Sequence, residues 1–150
     1  MAVAALITWV LTAGGGFVML GLWLRHGGLE QREQPGRRIR PPLIFGHLAL
    51  AATGLVLWIV YVISDNEVLA WVAVAVLVPV ALLGFAMLAI WLQRRGQARQ
   101  AGAAAGTQPG APNAQPAEQR FPVPVVAGHG LLAVVTLVLA VLSAAGVGGS

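Results

Sequence analysis

Two histidines in this chain, His47 and His129, end matching ten-residue frames, "RIRPPLIFGH" at 38–47 and "RFPVPVVAGH" at 120–129. Both read R-x-x-x-P-x-x-x-G-H, so Arg38 corresponds to Arg120, Gly46 to Gly128 and His47 to His129. The chain has only 3 histidines, and two of them lie just inside a long apolar run opened by a proline. A neutral imidazole ligates a metal through one ring nitrogen while a hydrogen bond fixes the other. Two imidazoles that face each other are therefore a set of axial ligands for one iron. The plainer alternative is a pair of hydrogen-bonding links to water, lipid headgroups or a neighbouring helix.

Elements of unusual composition must position these residues. The 150-residue chain is 58% hydrophobic and 9% charged, against roughly 25% charged residues in ordinary soluble domains. That composition predicts an integral membrane protein. Four stretches, at about 3–24, 43–63, 68–92 and 124–146, each supply the roughly 20 apolar residues a membrane-spanning helix needs. None shows the polar alternation of a barrel strand. The first stretch meets its first arginine, Arg25, only after the whole apolar run, which reads as a retained helix and not a cleaved leader.

Charge sets the expected orientation. All nine basic residues are arginines: Arg25, Arg32, Arg37, Arg38 and Arg40 fall in the first connection, and Arg94, Arg95, Arg99 and Arg120 in the third. The second connection, "SDNE", carries only acids. The positive-inside rule then places both arginine-rich connections in the cytoplasm and both termini outside. Trp23 and Trp91 fall at the expected inner boundary, and Tyr61 and Trp71 nearer the outer one. A calculated pI near 11.5 is thus explained by topology, with no nucleic-acid partner expected. The absence of lysine fits the coding bias of a GC-rich genome and suggests a bacterial cytoplasmic membrane.

The chain repeats itself outside the Gly-His frames as well. "GFVMLGLWL" at 16–24 matches "GFAMLAIWL" at 84–92, with Gly, Phe, Met, Leu, Trp and Leu in register. Helix one thus corresponds to helix three, and helix two to helix four. The expected fold is an all-α, integral membrane four-helix bundle, a single domain over 1–150 built from two duplicated parallel hairpins, about 1–65 and about 66–150. Their pseudo-twofold axis runs along the membrane normal, unlike the inverted plan of many transporters. The Gly-, Ala-, Gln- and Pro-rich stretch at about 96–119 reads as a disordered cytoplasmic linker.

In an up-down-up-down bundle helices two and four are diagonal, which puts His47 opposite His129 at equal depth. With neighbouring helices about 8–10 Å apart, diagonal axes lie about 11–14 Å apart, comparable with the span of two imidazoles on one haem iron. Gly46 and Gly128 are then expected to clear room for the macrocycle, and Arg38 and Arg120 to pair with its propionates. The histidine faces continue as Ala51, Gly54, Trp58 and Tyr61 on helix two and as Ala133, Thr136, Ala140 and Ser143 on helix four. Such a stripe of small residues, like the run Gly14, Gly15 and Gly16, also suits plain close packing of helices. His26, at the end of helix one, aligns with Arg94 and is read as an interfacial residue.

On "FGH" at 45–47, "AGH" at 127–129 and the bundle plan, the chain resembles the small b-type membrane cytochromes. The resemblance implies haem b held by His47 and His129, and an electron-transfer or redox-sensing role. Members of that class commonly carry two histidine pairs, whereas this chain has one. The other expectation is a non-enzymatic accessory subunit of a larger membrane complex, without cofactor. Partners in either case are the lipid bilayer and a larger respiratory or redox complex, quinone, or a second copy of the chain. With no cysteine and no carboxylate in the spans, a triad hydrolase and a thiolate or multi-ligand zinc site are not expected, and the chain is not read as an enzyme by itself.

Overall fold

Long apolar runs, two of them opened by Pro and three closed by Gly or Asp, give the chain its elements. The structure, a computed structural model, describes residues 1–30, 39–104 and 117–147. It is all-helical: α1 (Ala2–Arg25), α2 (Pro41–Ser64), α3 (Glu67–Ala104), a short 3₁₀ turn (Ala117–Arg120) and α4 (Val123–Ala144). All four α-helices are long and apolar enough to cross a membrane.

The helix ends follow from local chemistry. Prolines open α2 and α4 at their first positions, where a missing N–H costs nothing because no intrahelical acceptor exists there. At the end of α1, Gly27 takes φ +74°, its N–H donates to the Leu24 carbonyl, and the Gly28 N–H donates to that of Trp23. This is a Schellman stop, which favours a residue without Cβ. Gly146 ends α4 in the same way, with Val147 N–H donating to Leu142 O. Between α2 and α3 only Asp65 and Asn66 intervene, and the Asn66 side chain accepts from Val68 N–H as an N-cap.

The first part of the linker expected from about 96 is helical instead, because α3 continues to Ala104. Its Gln, Ala and Arg residues propagate a helix well, and only Gly96 and Gly102 oppose it. Residues 105–116, the middle of that stretch, lie outside the described residues, as do Arg32, Arg37 and Arg38.

Helix α1 packs chiefly on α4 and α2 chiefly on α3, with smaller α3/α4 and α1/α2 seams. Helices α2 and α4 are therefore diagonal, as are α1 and α3. One half of the bundle has a closely packed core. Small residues Ala5, Ala70, Ala73, Ala140 and Ala144 surround Trp9, Trp58 and Tyr61, so that backbones approach and dispersion holds the helices. Trp58 Nε1 donates to Ala2 O over 3.1 Å, and Tyr61 Oη lies 3.4 Å from Ser143 Oγ across the bundle. Outward faces are strongly apolar, Ile63 being 81% exposed and Leu131 67% exposed. Such a surface suits a lipid surrounding and would aggregate in water.

Candidate functional site

The two repeated histidines stand one turn and a half inside α2 and α4, and each reaches sideways to the helix against which its own helix packs. His47 Nδ1–H donates to Val80 O of α3 over 3.0 Å, and His129 Nδ1–H donates to Thr12 O of α1 over 2.8 Å. A carbonyl only accepts, so in both rings Nδ1 carries the hydrogen, and in the neutral ring Nε2 keeps its lone pair. Val80 follows Thr12 by the same 68 positions that separate the repeated "GF" motifs, and His129 follows His47 by 82. Each histidine thus makes the same kind of bond, to acceptors separated by the offset of the repeated segments.

Glycine permits these bonds. A helix carbonyl points toward the residue four positions on, so the side chain at that position would crowd a ring resting on the carbonyl. Those positions are Gly16, four after Thr12, and Gly84, four after Val80. A Cβ on Gly16 would lie 3.2 Å from His129 Cε1, and one on Gly84 would lie 3.4 Å from His47 Cε1. Gly15 adds a second close approach, 3.4 Å from His129 Cβ.

Held this way, the imidazoles of His47 and His129 come together inside the bundle, ring centroids 6.4 Å apart and planes at 56°. With metal–nitrogen bonds of about 2.0 Å, two imidazoles on opposite sides of one metal have centroids about 6.3 Å apart. The observed centroid separation is close to that value. Among the described residues no group of three or more His, Asp or Glu side chains converges.

The surroundings of the pair differ from the packed half. Among the described residues none is buried on α1 between Trp9 and Trp23, on α2 between Pro41 and Gly54, on α3 between Val80 and Trp91, or on α4 before Thr136. Gly46 and Gly128 adjoin open space, since a Cβ at either would meet nothing within 4 Å. The interior stripe foreseen on α2 and α4 is buried beyond the histidines at Gly54, Trp58, Tyr61, Thr136 and Ala140.

Of the remaining expected residues, Arg120 ends the 3₁₀ turn just before α4 and is exposed, and Arg38 lies outside the described residues. His26 caps α1, its Nδ1 2.6 Å from Leu22 O of its own helix, and takes no part in the pair. Sequence reasoning missed the roles of Thr12, Val80, Gly16 and Gly84. The signal was present for the glycines, because Gly16 and Gly84 are the first residues of the matched "GFVML" and "GFAML" segments. No protein-family model, curated protein or solved structure matches this chain, so its own residues carry the reading of the site.

Proposed function

We propose that the chain is a haem-b-binding membrane protein in which His47 and His129 are the two axial ligands, serving electron transfer or redox sensing near one face of the bilayer. The observation that carries this reading is the pair itself: a 6.4 Å centroid separation with both rings engaged through Nδ1–H, which leaves Nε2 of each neutral ring for a metal. A ligand histidine is normally oriented through its other ring nitrogen in this way. The lower burial of the residues around the pair, against the buried core beyond it, supports the same reading. Haem bound there supplies one-electron redox chemistry. The residues of this chain hold both imidazoles in one tautomer and keep the surroundings apolar.

The same proposal takes the chain as two fused parallel hairpins related by a pseudo-twofold axis. Its support is the repeated segments together with the matched histidine, carbonyl and glycine contacts at the same two offsets. The bundle is taken to span a bacterial cytoplasmic membrane with arginine connections inside and termini outside, supported by the one-sided arginines. Electrons would then be exchanged with a partner redox complex or quinone on the cytoplasmic side.

A second reading has its own observation. The two Nδ1–H bonds already tie α2 to α3 and α4 to α1, as a cofactor-free accessory subunit would need. A spectrum separates the two readings. Protein purified from haem-replete cells is expected to show a Soret band that is lost in His47→Ala and in His129→Ala. A haem-free wild type, still helical and still bound to a larger complex, would leave the accessory reading standing and remove the haem.

A further inference from the structure

At the arginine end of the bundle three buried side chains have polar atoms without a hydrogen-bond partner: Trp23 Nε1, Trp91 Nε1 and both carboxyl oxygens of Glu118. Trp23 is 0% exposed, Trp91 5% and Glu118 0%. Buried N–H groups are rarely left unpaired, because each forfeits the hydrogen bond it made to water. Two orphaned indoles at corresponding positions of α1 and α3 therefore need a common explanation.

Their placement supplies one. Trp23 follows Gly16 by seven residues, and Trp91 follows Gly84 by seven. Seven residues fall about 20° short of two full turns, so each indole leaves the same helix face as the glycine that receives a histidine ring, about 10.5 Å further along. Trp23 also lies edge-on to Phe45, ring centroids 6.4 Å apart, and Phe45 is two residues before His47 on the arginine side. A flat ligand held between imidazoles of α2 and α4 presents its edges to the other diagonal pair, α1 and α3. Those are the helices that carry the two indoles.

We infer that Trp23 and Trp91 are positioning residues that donate their indole N–H groups to the two propionate carboxylates of the haem, fixing its propionate edge toward the arginine end. This rests on the haem reading proposed above. Two donors on opposite sides of the bundle axis match two carboxylates leaving one edge of a macrocycle side by side. Toward the opposite end, Trp58, Tyr61, Thr136 and Ser143 already bond within the protein. Positive charge is at hand, with the Arg95 guanidinium 5.2 Å from the Trp91 ring centroid. The competing acceptor is Glu118, buried on the 3₁₀ turn that packs against α1 and α3.

The test titrates haem and haem dimethyl ester, which lacks propionate charge, into apo wild type and into Trp23→Phe, Trp91→Phe and the double variant. Phe keeps most of the ring and removes the N–H. Wild type is expected to prefer haem over the ester, each single variant to bind haem about tenfold more weakly, and the double variant to lose most of its preference. Equal binding of haem and ester by wild type overturns the inference, and so does a preference that survives undiminished in the double variant; either result assigns the indoles to Glu118. A wild type that binds neither compound overturns the haem reading itself, which is a distinguishable outcome.

Discussion

Gly16→Ala adds one methyl group at the place where the His129 ring lies on α1. Its Cβ would stand 3.2 Å from Cε1 and 3.6 Å from Nδ1 of that ring, against about 3.5–4.0 Å for a comfortable carbon contact. The ring must retreat by a few tenths of an ångström, away from the Thr12 carbonyl to which it now donates over 2.8 Å. Losing much of that hydrogen bond costs about 1 kcal/mol, so haem affinity is expected to fall about fivefold, by the usual factor of ten per 1.4 kcal/mol. Helix stability does not fall with it, since alanine is the better helix former by up to about 1 kcal/mol. Gly84→Ala meets His47 Cε1 at 3.4 Å and is expected to cost less, about twofold. Gly14→Ala adjoins open space and serves as the control. The assay is a Soret titration of apo protein in mild detergent, with circular dichroism to verify helicity. Gly16→Ala binding haem as tightly as wild type, or Gly14→Ala losing as much, would refute the argument that glycine positions the ligand.

Other consequences concern the fold and its placement. The chain has no native cysteine, so Ser64→Cys and Gln97→Cys can each be probed alone: an impermeant maleimide applied to intact cells is expected to label the first and not the second, and the reverse pattern contradicts the orientation. Gly28→Ala drives a methyl into the buried Trp23 indole and is expected to destabilise the bundle by about 1–3 kcal/mol, as overpacking does; an unchanged thermal midpoint in detergent would contradict the packing described. Trp58→Phe removes the donor to Ala2 O and is expected to cost about 1 kcal/mol, visible as faster amide exchange in the first turns of α1; unchanged exchange there counts against the link.

The helices and the paired histidines are legible in the sequence because apolar length and a repeated frame are side-chain signals. What holds the histidines is not, since the acceptors are the backbone carbonyls of Thr12 and Val80, which any residue type supplies. The sequence therefore directs attention to Gly46 and Gly128, beside the histidines in the chain, whereas the close approaches in space fall at Gly15, Gly16 and Gly84. Burial of Glu118 and Ala117 against the ends of α1 and α3 is hidden for a related reason. They sit in a stretch whose Gly, Gln and Pro content carries no periodicity, and a 3₁₀ turn of four residues leaves none. The extension of α3 to Ala104 rests on propensity, which two glycines obscure.

Ligand number decides the central claim most directly. Wild-type protein reconstituted with haem and examined in the ferric state by electronic absorption and electron paramagnetic resonance is expected to be six-coordinate and low-spin. His47→Ala and His129→Ala, each keeping one imidazole, are expected to become five-coordinate and high-spin. A wild type that takes up no haem, or one whose coordination is unchanged when either histidine is removed, would contradict ligation by the pair.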